Sequence, residues 1–98
     1  MPKSIIIKQN GGPEVLELQE VSVASPGSDE IKVVNHAIGL NYIDTYHRSG
    51  LYPLKLPSGI GLEAAGKVEE VGSNVSEFNI GDNIAYASIP LGAYSQQR

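Results

Sequence analysis

Apolar and polar residues change places in short runs along this chain, and glycine or proline breaks the runs at close intervals. Lys3 to Gln9 is rich in β-branched residues and predicts a strand, ended by the turn-forming Asn10-Gly11-Gly12-Pro13. Glu14 to Val21 alternates less regularly and predicts the returning strand. Ser25-Pro26-Gly27-Ser28 predicts a type II turn, in which Pro26 presets φ at one central position and Gly27 takes a positive φ at the next. Glu30 to Ile38, imperfectly alternating, is the longest strand candidate.

A helix is predicted from Tyr42 to Ser49. Asn41 suits its N-cap, Asp44 stands three residues on where a carboxylate meets the helix dipole, and Gly50 suits the position just past the end. Leu51 to Ser58 holds Pro53 and Pro57 and predicts an irregular loop. Strands follow at Lys67 to Val71 and Asn83 to Ala87, separated by turns at Gly72-Ser73-Asn74 and Gly81-Asp82, and Ala93-Tyr94-Ser95 begins a further strand. The stretch Glu63 to Val71 is ambiguous. Its apolar positions 64, 65, 68 and 71 also fit a helical period, which Gly66 and Gly72 weaken without excluding.

Eleven glycines and six prolines among 98 residues, with β-branched segments between them, point to an all-β barrel or sandwich. The length fits one domain, and 41% hydrophobic residues can supply a core without metal or disulfide staples. No cysteine is present, which excludes disulfides and thiolate metal sites. A net charge of −4, with seven scattered Lys and Arg, argues against nucleic acid. No apolar stretch approaches a membrane span and Ile5-Ile6-Ile7 is too short for a signal peptide, so a cytoplasmic domain is expected.

Several patterns carry possible chemistry. Gly59-Ile60-Gly61-Leu62-Glu63-Ala64 matches the G-x-G-x-x-A of a dinucleotide-binding turn. That turn needs a buried strand before it, whereas Leu54-Lys55-Leu56-Pro57-Ser58 is short and proline-bearing, so the match is expected to be accidental. Asp44 and His47, one helical turn apart, could share a cation with Glu63. The favoured alternative has Asp44 facing the helix dipole and pairing with Arg48, and His47 solvated. His36 on its strand is expected to be structural. Tyr42 and Tyr46 project from one helix face, with Asn41 before them and Tyr52 after. These rings and the amide could frame a flat, carbonyl-bearing ligand, or be an N-cap with half-buried tyrosines.

Gly61-Leu62-Glu63-Ala64-Ala65-Gly66-Lys67-Val68-Glu69-Glu70-Val71-Gly72 resembles the G-H-E-x-x-G-x-V-x-x-V-G signature of the medium-chain dehydrogenase/reductases. Gly81-Asp82 falls where that superfamily has a G-D-x-V turn. Gly39 to Tyr46, Arg48 to Pro53 and the opening Gly12-Pro13-Glu14-Val15-Leu16 are similar to its quinone oxidoreductase (zeta-crystallin-like) branch, and the match runs collinearly through the chain. Where zinc-using members place a catalytic Cys this sequence has Asn41, and where they place the His of G-H-E it has Leu62. Neither replaces a thiolate or an imidazole around zinc, so a metal-free domain is expected.

The resemblance implies a mainly β fold, a GroES-like barrel with one short helix near 42–49, and would settle 63–71 as strand. It implies that residues 1–98 are the substrate-side domain of a longer protein that continues into a Rossmann domain. The implied activity is zinc-independent hydride transfer from NADPH to a quinone in a two-domain cleft, with most NADPH contacts outside this chain. By position, Asn41, Tyr46 and Tyr52 would meet the substrate, and Asn41, Tyr42, Ile43, Asp44 and Tyr46 the cofactor; Glu63 would be structural, holding polar neighbours. The chain by itself is expected to be inactive and to self-associate through uncovered edges, in a family whose resemblance also implies a homo-oligomer. Two other readings stay open: a stand-alone GroES-like binding module, and a piece of a metal-dependent alcohol dehydrogenase.

Overall fold

The computed structural model describes residues 2–88 and 90–98. β1 (Lys3–Ile7) follows from its β-branched run, with Ser4 and Ile7 turned inward. It pairs antiparallel with β2 (Glu17–Glu20), from Lys3 opposite Glu20 to Ile6 opposite Glu17. The return to β2 starts later than expected. Pro13–Val15 instead form a 3-10 turn, in which proline at the first turn loses no helical hydrogen bond and Val15 enters the core.

The turn before β3 also differs from expectation. The Glu30 N–H bonds the Gly27 carbonyl at 3.1 Å, and the Gly27 N–H bonds the Glu30 carboxylate at 2.8 Å. These two bonds close the reversal over residues 27–30, and Gly27 is not among the glycines of positive φ.

β3 (Ile31–Ile38), β5 (Ala64–Val71) and β6 (Asn83–Tyr86) form a second sheet in the order β3-β5-β6. The ambiguous segment is therefore strand. Two register shifts explain its misleading pattern. Lys32 faces Glu70 but Val33 faces Val68, which leaves Glu69 extra; Asn35 faces Gly66 but Ala37 faces Ala65, which leaves His36 extra. Each bulge reverses the inward–outward alternation, so a three-residue step from Val68 to Val71 stands in for a two-residue one. Gly66 has a positive use here. A Cβ at that position would overlap the Val34 carbonyl, so only glycine lets β3 and β5 come this close.

The last residues join the two sheets. On the β1 side, the Ile5 N–H bonds the Tyr94 carbonyl at 2.8 Å and the Gln96 N–H bonds the Lys3 carbonyl at 2.9 Å. On the β3 side, the Asn35 N–H bonds the Gln96 carbonyl at 2.9 Å, and Val33 and Arg98 exchange two bonds of 2.8 Å. The strand expected at Ala93-Tyr94-Ser95 is thus a seam of bridges at Ser95 and Gln97. The result is one curved sheet with β2 and β6 at its ends, an incompletely closed barrel; among the described residues no pairing joins those two strands.

Ile7, Val15 and Ile60 form one core cluster, with Ile5, Leu54, Leu56 and Tyr94 packed against them, and Val33, Ala64, Val68 and Ala93 are buried as well. Beyond the irregular 51–57 stretch, β4 (Ser58–Gly59) pairs with the end of β1. Gly61 then turns with φ +99, and a Cβ there would enter the Tyr94 ring. No helix follows Gly61; the chain runs into β5, so the dinucleotide-turn match is accidental as expected.

Candidate functional site

The helix α1 (Tyr42–Ser49) has the bounds and caps its sequence predicts. Asn41 is extended, with φ −125 and ψ 151, and the Asp44 Oδ2 accepts its backbone N–H at 3.1 Å. The Asp44 N–H in turn bonds the Asn41 carbonyl at 3.0 Å. Gly50 ends the helix in the left-handed region, φ +91. The N–H groups of Gly50 and Tyr52 both bond the Tyr46 carbonyl, at 3.1 and 3.2 Å, which hangs Tyr52 beside the helix it follows.

That arrangement assembles an aromatic face. The Tyr42 and Tyr46 rings lie 6.1 Å apart, and Tyr46 and Tyr52 meet edge to face at 5.4 Å. Tyr42 is 81% exposed and Tyr52 49%, so the face opens to solvent. At its start the Asn41 Nδ2 is withdrawn from solvent and has no hydrogen-bond partner. An unmet buried donor costs about 1–3 kcal/mol. Ile43 is half-buried. Just before the helix, Ile38 and Leu40 border an open groove of about 450 Å³ shared with Ile5, Leu18 and Tyr94.

The opposite side of α1 corrects two expectations. His47 is not solvated: it is buried, its ring edge-on to Tyr52 at 6.2 Å. Asp44 does not pair with Arg48, whose Nε donates to the Gly11 carbonyl at 3.2 Å and whose own carbonyl accepts the Gly11 N–H. Asp44 is itself only 4% exposed, inside the fold and off the solvent-facing surface. Its partner is Tyr94, whose hydroxyl donates to Oδ2 at 2.5 Å. Burial, then this bond, then the charge of Asp44 push the Tyr94 phenol well above its ordinary pKa. Sequence reasoning missed Tyr94 because no local pattern links positions 50 residues apart.

Glu63 also differs from expectation. It is exposed, its side chain lies over Gly39, and among the described residues its carboxylate makes no ion pair or hydrogen bond. Among those residues no three His, Asp or Glu side chains gather as a metal site, so Glu63 does not join Asp44 and His47. His36 is exposed at its bulge. An open aromatic face that begins next to an unmet amide donor has the chemistry to take a planar conjugated carbonyl. The Gly59–Gly61 turn, with no helix after it, offers no cradle for a pyrophosphate.

The sequence profile of the alcohol dehydrogenase GroES-like domain matches residues 27–97. Quinone oxidoreductase of Pseudomonas aeruginosa is 59% identical over 97 residues, covering 98% of this chain and 30% of that protein. The 2-haloacrylate reductase of a Burkholderia species is 44% identical over 102 residues, covering 100% of this chain and 31% of that protein. The crystal structure of Escherichia coli quinone oxidoreductase complexed with NADPH superposes with a TM-score of 0.96 at 52% identity, over 98% of this chain and 30% of that one. The chain therefore spans about 30% of the length of these relatives. The open barrel, its single capped helix and these matches agree: the chain belongs to the alcohol dehydrogenase GroES-like domain family.

Proposed function

We propose that this chain is the substrate-side domain of a zinc-independent, NADPH-dependent quinone oxidoreductase. The observation that carries the proposal is the unmet Asn41 Nδ2 at the head of the tyrosine face. Asn41, Tyr46 and Tyr52 meet the quinone, and Asn41, Tyr42, Ile43 and Tyr46 border the nicotinamide. Asp44 contributes from inside, by holding the Asn41 N–H.

Bound NADPH supplies a hydride, and a proton from water completes the hydroquinone. The chain's own residues act on the acceptor. Negative charge grows on the quinone oxygen during the transfer, and a donor already in place stabilises it without reorganisation. Asn41 Nδ2 is that donor. The rings of Tyr46 and Tyr52 hold the quinone plane and displace water from it. Asn41 and Leu62 stand where zinc-using relatives are expected to carry thiolate and imidazole, so the amide takes over the polarising role of a metal. The uncharged rings favour a neutral acceptor over a carboxylate such as an acrylate.

Binding of a 1,4-naphthoquinone, followed by quenching of tyrosine emission, tests the assignment. Asn41→Ala removes one hydrogen bond of about 1 kcal/mol and should weaken binding about three- to tenfold. Unchanged affinity in both Asn41→Ala and Tyr52→Ala would contradict the site. The 98-residue chain alone should not oxidise NADPH with quinone, since its described residues offer no pyrophosphate cradle; turnover by the purified chain would contradict that part.

A further inference from the structure

We infer that Tyr94 is a positioning residue for this site: its hydroxyl, acting through the Asp44 carboxylate, fixes the Asn41 backbone and so aims the Asn41 amide. The inference rests on the quinone-facing role proposed for Asn41.

Asp44 is held by few bonds. Its Oδ2 accepts the Asn41 N–H at 3.1 Å and the Tyr94 hydroxyl at 2.5 Å, while Oδ1 is buried with no partner. Among the described residues the phenol is the sole side-chain donor to this carboxylate. A buried carboxylate that loses one of two donors gains strongly from moving toward water, and any such movement carries the N-cap with it.

Tyr94 itself has little freedom. Its N–H bonds the Ile60 carbonyl at 3.0 Å, and its carbonyl accepts the Ile5 N–H at 2.8 Å and the Ser4 hydroxyl at 3.2 Å. Its ring packs on the core and occupies the space that a side chain at Gly61 would need. The hydroxyl is therefore a fixed point on the barrel, to which the start of α1 is fastened 50 residues earlier in sequence. The loop before β5 and the seam at 94–98 thereby set the direction of an amide nitrogen to which neither is hydrogen-bonded.

Tyr94→Phe keeps the ring and removes only the hydroxyl, so it separates positioning from packing. In amide-resolved NMR, Tyr94→Phe should shift the Asn41 backbone and side-chain signals more than Tyr86→Phe, a control whose hydroxyl bonds Asn35 at 3.1 Å. Naphthoquinone binding should weaken about three- to tenfold, and Tyr94→Phe/Asn41→Ala should bind no worse than Asn41→Ala alone. Unmoved Asn41 signals, or fully additive losses, would overturn the inference. If the wild-type chain binds no naphthoquinone, the functional proposal fails while the Asn41 signals still decide the positioning. Spectrophotometric titration of the wild type needs no variant: one phenol should stay protonated above the ordinary tyrosine range, and Asp44→Asn should lower its midpoint. A folded wild type with no such phenol would also overturn the inference.

Discussion

A hydroxyl on Tyr94 and a carboxylate on Asp44 meet inside this domain, and their contact has a pH signature. Burial first, then the bond to Asp44, raise the folded phenol above its unfolded value of about 10. A raised pKa in the folded state adds stability in full below that unfolded value, and the contribution is lost as pH climbs through the folded one. The urea midpoint should therefore fall as pH rises past about 10, and Tyr94→Phe should flatten that part of the profile. Parallel profiles for the two chains would contradict it. Asn41, Asp44 and Gly50 were legible as caps because each acts within one helical turn. The burial of His47 was not, since an eight-residue helix shows its neighbours no sequence signal. The bond from Arg48 to the Gly11 turn was hidden for the same reason: its partner is 37 residues away.

Strand β5 shows how an element can disguise itself. Ala64, Gly66 and Val68 are buried in strict alternation, and the bulge at Glu69 then breaks the period just where Val71 follows. A bulge depends on the partner strand, so spacing within one segment could not reveal it. The family resemblance, collinear along the chain, identified the strand where periodicity could not. Gly66 was read as a weakness of a helix and is instead a condition of the sheet. Gly66→Val places a branched side chain on the Val34 carbonyl and should destabilise the domain by more than about 3 kcal/mol, or prevent folding. At the end of α1, Gly50→Ala keeps a left-handed φ without glycine's freedom and should cost about 1–2 kcal/mol. Urea unfolding measures both, and a loss below 1 kcal/mol for Gly66→Val would contradict the packing described.

For the whole molecule, the curved sheet ends in β2 and β6, and Leu18 and Leu40 are 64% and 82% exposed beside the groove. Open strand edges and contiguous apolar surface favour association. The purified chain should sediment as a concentration-dependent mixture, and a single monomeric species up to high concentration would count against it. The aromatic face of α1 lies open as well, in a chain that spans about 30% of its relatives' length. Barrel class and helix were readable from pattern and resemblance; the seam that joins the sheets was not, because its bonds tie residues 94–98 to positions 3–5 and 33–35, far away in the sequence. The most direct test of the site is residue-resolved NMR of the chain titrated with a 1,4-naphthoquinone. Shifts should concentrate on Asn41, Tyr42, Tyr46 and Tyr52 and saturate together, whereas shifts confined to the groove at Leu18, Ile38 and Leu40 would place the quinone elsewhere and contradict the proposed role of Asn41.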